Sequence, residues 1–352
     1  MKLGLFLGYW GVGPQGDDAV AVTQAAERAG FDSVWAAEAY GSDAVSVLSW
    51  LIPQTETIKL GSLIFQIPAR PPAAAAMAGC TMDMLSDGRF IFGFGPSGPQ
   101  VSEGWYGVGF DKPLGRLREY VEIVRRIVAR EAPLEYAGEH FTLPLPTPDA
   151  KPLKLGFHPL RNEIPVFLGS LGPRATELCG EIADGWSPMF FSIDNYEAVW
   201  LPHLEAGLAK AGRARSDLEV SPTLLAAVDG DLDSARAAAK TTLLLYIGGM
   251  GSGKKNFYVD LVSRFGFEQE AKEVQRLYLA AQREQAFAAI PDELVDTTTL
   301  IGTEAEVAER LESFEALGVD RLTISLAQFY DRAQAIHTIE RLGALVGDPA
   351  PA

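Results

Sequence analysis

Cysteine is scarce in these 352 residues, with only Cys80 and Cys179. Each sits in an apolar stretch with helical spacing, which excludes a disulfide framework and fits a reducing, cytoplasmic setting. Histidine is almost as rare. His140, His158, His203 and His337 lie far apart without ligand spacing, so no metal centre is expected. Lys and Arg are outnumbered 30 to 46 by Asp and Glu, and the formal net charge of −16 argues against nucleic acid or an anionic membrane as partner. No apolar run approaches the roughly 18 residues of a membrane span. Residues 1–8 carry one charge and a very short apolar stretch, so they read as a first strand rather than a secretory signal. There is no Gly-x-Ser-x-Gly nucleophile elbow. What remains is a globular composition, 47% hydrophobic and 22% charged, on a chain long enough for a large core.

The pattern along that chain is alternation. Short apolar runs at residues 2–8, 31–36, 58–64, 90–94, 166–168, 185–189, 219–226 and 318–325 read as strands, with amphipathic helical stretches between them, one of them over 195–211. A helix, a glycine, an apolar residue, an aspartate and a strand recur at residues 17–36 and 304–325, which suggests one repeated unit. Eight strands each followed by a helix predict an α/β protein built as a single (β/α)8 TIM barrel over residues 1–352. An open Rossmann sheet is disfavoured because Gly4 and Gly8 do not make its fingerprint after the first strand. Two segments exceed a minimal barrel. Residues 133–165 are proline-rich and look like an inserted hairpin, and residues 248–300 look like an insertion that acts as a lid.

In a barrel the site lies where the strands end, and this selects the candidates. The fourth strand runs into Gly93-Phe94-Gly95-Pro96-Ser97-Gly98-Pro99, where side chains nearly vanish and a ligand could lie against main chain. The second strand offers Glu38, Tyr40 and Asp43, and the third offers residues 63–66. Trp10, Tyr40, Glu103 and Trp105 are candidates for a substrate pocket, and Ser325 and Gln328 close the last strand. Gly169-Ser170-Leu171-Gly172-Pro173 ends a strand and opens a helix, a place for a phosphate. Gly248 to Lys254 matches the start of a phosphate loop, but Lys255 stands where a magnesium-binding hydroxyl is needed, so an ATPase is rejected. Lys254 and Lys255 then read as a basic loop that closes on an anionic tail.

The stretch Val34-Trp35-Ala36-Ala37-Glu38-Ala39-Tyr40-Gly41-Ser42-Asp43, the run Leu85-Ser86-Asp87-Gly88-Arg89-Phe90 leading into the glycine loop, and Leu300-Ile301-Gly302-Thr303 before a helix resemble the luciferase-like monooxygenase superfamily. Within it the chain is similar to the branch that uses the deazaflavin coenzyme F420. The resemblance implies a barrel with an insertion before its last strand, a homodimer, and a non-proline cis peptide at Leu63-Ile64 beneath the cofactor ring. It also implies that Gly95, Pro96, Ser97 and Gly98 face the ring's polar edge and that Gly169, Ser170, Leu171, Gly172 and Pro173 hold the phosphate. Where sugar-phosphate and alcohol dehydrogenases of the family carry Asp-His, this chain has Glu38-Ala39, so the usual base for alcohol oxidation is missing. The expectation is therefore an F420-dependent oxidoreductase acting on a small molecule, reducing an activated double bond rather than oxidising an alcohol. Glu38 and then Tyr40 are the expected proton donors, with Glu38 also beside the cofactor. The alternatives are an FMN-dependent monooxygenase and a non-catalytic flavin- or deazaflavin-binding protein.

Overall fold

Short runs of β-branched and aromatic residues, buried on both faces, suit a parallel sheet covered by helices. The computed structural model describes residues 1–11, 13–250, 256–326 and 332–347. Its strands are β1 Lys2–Gly8, β2 Ser33–Ala36, β3 Lys59–Ser62, β4 Phe65–Gln66, β5 Phe90–Gly95, β6 Tyr136–Ala137, β7 Thr142–Leu143, β8 Val166–Leu168, β9 Gly185–Trp186, β10 Glu219–Val220, β11 Thr223–Val228, β12 Thr299–Gly302 and β13 Arg321–Ser325. All but β6 and β7 join one parallel sheet in the order β10-β9-β8-β5-β3-β2-β1-β13-β11-β12, with β4 beside β5. One end of that order, β10, runs on into β11, next to the other end, with only Ser221 and Pro222 between them. The sheet is therefore curled, and the architecture is α/β and TIM-barrel-like.

The repeated unit seen in the sequence occupies both sides of β1. Gly30 and Gly318 follow their helices in the left-handed region, at φ 80° and 76°, where a glycine cap is favoured. Asp32 and Asp320 then sit at the feet of β2 and β13. The Asp32 amide donates to Leu3 O, and the Lys2 amide donates to Asp320 O.

Side chains inside the curl form their own cluster of Phe6, Trp35, Ala37, Leu63, Ile91 and Phe167, with Tyr9 and Ile64 packed against it. Below it Arg321, 1% exposed, lies against the rings of Trp35 and Phe167, 5.5 Å from each centroid, and pairs with Asp32 and Glu219. A larger apolar layer joins the outer face of the sheet to the helices. The insertion at residues 133–165 carries the antiparallel pair β6 and β7.

Four expectations need correction. The stretch 219–226 is not one strand, because Pro222 has no N–H for the ladder and splits it. The stretch 185–189 forms a ladder only at Gly185–Trp186, followed by a bridge from Met189 to Thr223. The helix expected over 195–211 is broken at Trp200 into Tyr196–Val199 and Leu201–Ala211. An additional strand, β12, pairs with the end of β11 from Leu225↔Thr299 to Val228↔Gly302. It follows the helix Asp292–Thr298 without a turn.

Candidate active site

The strand tips of β2 to β5 are organised by one departure from regular structure. Between β3 and β4 the chain bulges at Leu63 and Ile64, and their peptide is cis, as the family resemblance implies. The bulge interrupts the β3–β5 ladder after Gly61↔Ile91, and β4 resumes it at Phe65↔Phe94. Ser62 spans the gap, with its Oγ donating to Gly93 O at 3.0 Å and accepting from Gly93 N–H at 2.9 Å.

The glycines of the fourth strand owe their identity to this bulge. A Cβ on Gly95 would stand 2.1 Å from Ile64 Cδ1, and one on Gly93 would stand 1.8 Å from Ser62 O. Gly169 lies on the other side of the same side chain, with a Cβ reaching 3.0 Å from Ile64 Cγ2. Two of the bare positions expected to admit a ligand thus admit protein instead. Gly98 is different, for its nearest neighbour would be Gln100 Oε1 at 3.8 Å. The result is a partly exposed Ile64 held from beneath by main chain, a flat apolar support at the strand ends.

Glu38 ends the second strand and is 5% exposed. Its carboxylate accepts two bonds from Arg70, from Nη1 at 2.5 Å and Nη2 at 2.8 Å, and two more from the amides of Gln66 at 3.1 Å and Ala44 at 3.3 Å. Arg70 stacks on Phe65 at 4.5 Å. Burial alone would lower the guanidinium's pKa, but the Glu38 carboxylate outweighs that and holds it above its ordinary value. Gln66 extends the network, donating from Nε2 to Glu38 O at 2.6 Å and accepting from Ser97 Oγ at 2.9 Å. Asp43 caps the helix Ala44–Leu51 through Ser46 N–H at 2.7 Å. With all its acceptor positions near neighbours filled, Glu38 anchors three strand tips and has no free face for passing a proton. Arg70 was not singled out in the sequence, and Pro68 and the two prolines after it offered no hint of a buried cation.

The rim residues divide. Trp10, Tyr40 and Trp105 are 40%, 50% and 66% exposed, and Tyr9 lies 6.2 Å from Tyr40 between ring centroids. Glu103 is exposed and accepts from the Phe110 amide at 3.0 Å. Its neighbour Tyr106 reaches inward instead, donating to Ala39 O at 3.0 Å. Lys254, Lys255 and Gln328 lie outside the described residues.

At the fifth strand, Gly172 precedes the helix Pro173–Ile182. Ser170 is buried and turned away from that opening, its Oγ accepting from Trp186 Nε1 at 3.0 Å and lying 3.1 Å from Cys179 Sγ. Leu171 O accepts from Trp200 Nε1 at 3.2 Å and from Arg264 Nη2 at 3.3 Å. Nη1 of the same arginine is buried without a partner, and burial lowers the guanidinium's pKa. A helix start, main chain and an unspent guanidinium donor fit a phosphate, and the Ile64 support fits a planar ring.

Three further aromatic side chains pack on one another: Phe190, Tyr246 and Tyr258. Phe190 lies 5.1 Å from Tyr246 and 5.8 Å from Tyr258, and the two tyrosines lie 4.7 Å apart. Tyr246 belongs to the wide π-turn Leu245–Gly249 that continues the helix Leu232–Leu244, and Tyr258 to the helix Phe257–Arg264. Sequence reading missed them because they meet only through the tertiary fold. The one available signal was that both tyrosines flank the glycine-rich start of the insertion.

Among the described residues no group of acidic, histidine and cysteine side chains could hold a metal, and no helix is long and apolar enough to cross a membrane. In a parallel, curled α/β sheet of this kind the ligand-accessible loops lie at the strand ends. Residues 1–321 match the family described as luciferase-like monooxygenase, and the chain belongs to that family. Among its relatives is a Mycobacterium tuberculosis protein provisionally named a coenzyme F420-dependent oxidoreductase, 44% identical over 331 residues, 92% of this chain and 95% of that one. The 5,10-methylenetetrahydromethanopterin reductase of Archaeoglobus fulgidus is 30% identical over 324 residues, 89% and 91% of the two chains. The solved coenzyme F420-dependent tetrahydromethanopterin reductase of Methanopyrus kandleri superposes with a TM-score of 0.79 over 98% of both chains at 23% identity, a likeness of fold.

Proposed function

We propose that this chain is an F420-dependent oxidoreductase that transfers a hydride between the deazaflavin and a small organic substrate, reducing an activated double bond. The observation that carries the reading is the 44% identity, along nearly the whole of both chains, to a relative named for F420. The site supports it. Ile64, held up by Gly95 and Gly169, would carry the ring, with Pro96, Ser97 and Gly98 along its edge. The main chain at Gly169–Pro173 and Arg264 Nη1 would hold the phosphate, and Lys254 and Lys255 the tail beyond it.

When bound, the cofactor supplies the hydride, and the chain's own residues position and shield it. Glu38 holds Arg70 and Gln66 in place, so we assign it positioning in place of proton donation. Tyr40 at the rim, or water, would supply a proton. No imidazole stands at the strand-two tip to act as a base, which favours reduction over alcohol oxidation. We also read the curled sheet as a complete (β/α)8 barrel, since Ser221 and Thr223 donate to Trp186 O and Pro188 O on one side while Val220 O and Pro222 O accept from Asp320 and Thr323 on the other. For the homodimer implied by the resemblance, the exposed Met77, Met84 and Leu85 of the helix Pro72–Leu85 offer an apolar face.

The test is mixing with reduced F420 or reduced FMN and a set of enones, first without oxygen and then with it. Oxidation of F420 that depends on the enone supports the proposal. Turnover only with reduced FMN and oxygen would replace it with a monooxygenase, and tight binding without turnover of either would leave a carrier.

A further inference from the structure

We propose that Tyr9 is a catalytic hydrogen-bond donor to the carbonyl oxygen of an uncharged α,β-unsaturated carbonyl substrate, and that Phe190, Tyr246 and Tyr258 form the wall against which that substrate lies. The proposal rests on the F420 reading and names the substrate class for the same site. Tyr9 follows the tip of β1 and packs, with Ile64, on the cluster inside the sheet, so it stands beside the ring support. Gly41 lets the loop after β2 close over it, since a Cβ there would stand 2.5 Å from Tyr9 Cδ2.

The four phenols share one space. Burial raises the Tyr9 hydroxyl's pKa first, and Tyr246 and Tyr40 raise it further, the latter also through a hydrogen bond to Tyr9 that the substrate carbonyl would replace. Burial and then Tyr258 and Tyr40 act on Tyr246, and burial and then Tyr9 act on Tyr258. For these three, the neighbours that act electrostatically among the described residues are other phenols. At the strand tips Glu38 and Arg70 pair with each other. Three consequences follow. The phenols stay protonated at neutral pH and donate rather than abstract. A charged substrate lying against these phenols would find no counter-charge among them, at a desolvation cost. A neutral planar substrate meets aromatic faces and finds one O–H for its oxygen.

The reaction balances without another reactant. The substrate's β-carbon gains a hydride from reduced F420 and its α-carbon gains a proton, so C=C becomes C–C. The deazaflavin, having lost a hydride and a proton, is left oxidised. Tyr9 polarises the carbonyl as negative charge develops on its oxygen, an effect commonly worth about 10²–10³ in rate.

The probe is cyclohex-2-en-1-one, with fumarate as a dianionic counter-probe, on wild type, Tyr9→Phe and Tyr258→Phe. Wild type is expected to reduce cyclohexenone and not fumarate. Tyr9→Phe is expected to lower kcat at least about tenfold while F420 affinity, measured by titration, stays within about threefold. In complexes with oxidised F420, the infrared carbonyl band of isotope-labelled cyclohexenone should move to lower frequency in wild type and Tyr258→Phe, and not in Tyr9→Phe. A Tyr9→Phe enzyme with wild-type kcat and carbonyl band overturns the role of Tyr9. Preference for fumarate, or F420 binding with neither reduction nor binding of cyclohexenone, overturns the substrate class and leaves the F420 reading standing. Failure of wild type to bind F420 overturns both.

Discussion

Replacing Glu38 by Gln changes little in shape and much in energy. The carboxylate accepts four hydrogen bonds, two of them from Arg70, and its side chain is 3% exposed against 17% for the arginine's. An amide offers one acceptor oxygen, so its NH2 must face a guanidinium nitrogen or the Gln66 or Ala44 amide, donor against donor. It also leaves Arg70 buried without its counter-charge. Removing one partner of a buried pair costs about 3–5 kcal/mol, and that is the loss expected for Glu38→Gln in urea unfolding. Arg70→Met keeps an apolar stem over Phe65 and removes the charge. In the double variant Glu38→Gln with Arg70→Met, the loss should fall short of the sum of the two single losses by about 2 kcal/mol, within the usual range for residues in contact. A Glu38→Gln variant within about 1 kcal/mol of wild type, or strict additivity in the cycle, would refute the reading of Glu38 as an anchor.

The glycines of the fourth strand should respond unequally. Gly93→Ala drives a methyl into the Ser62 carbonyl, which cannot rotate away, and should lower stability by about 3 kcal/mol or more, while Gly98→Ala should change it by under about 1 kcal/mol; thermal unfolding reads both. Glu27 accepts the amides of Glu56, Thr57 and Ile58, and although burial alone would raise its pKa, these bonds hold it below the ordinary 4.5. A lowered folded value means that its contribution is complete above about pH 4.5 and fades as pH falls through the folded value, so Glu27→Gln should lower Tm at neutral pH and narrow that gap in acid. Burial pushes the thiol of Cys80 up to about 11 and that of Cys179 to about 12, so neither forms thiolate at neutral pH, and a disulfide reagent should label both only after unfolding.

The sequence carried the fold in local signals. Gly30 and Gly318 announced helix ends, Asp43 stood where a cap was needed, and β1, β2, β5 and β8 fell on short apolar runs. The Leu63–Ile64 bulge came from family resemblance alone, since nothing local in Ser62-Leu63-Ile64-Phe65 marks it. Contacts between distant segments stayed hidden. The glycines at 93 and 95 looked like room for a ligand because what presses on them, the Ser62 carbonyl and the Ile64 side chain, lies a strand away. Phe190, Tyr246 and Tyr258 come from three elements, and Arg70 meets Glu38 across 32 residues. Ser170 has a hydroxyl of the right kind in the right loop, yet Trp186 takes it.

The central claim is a site built for a deazaflavin with a phosphate and an anionic tail. Absorbance titration of the purified protein with oxidised F420 and, separately, with FMN tests it most directly. F420 should bind at least about tenfold more tightly than FMN, a difference of about 1.4 kcal/mol. Tight binding of FMN with no detectable binding of F420 would contradict the account.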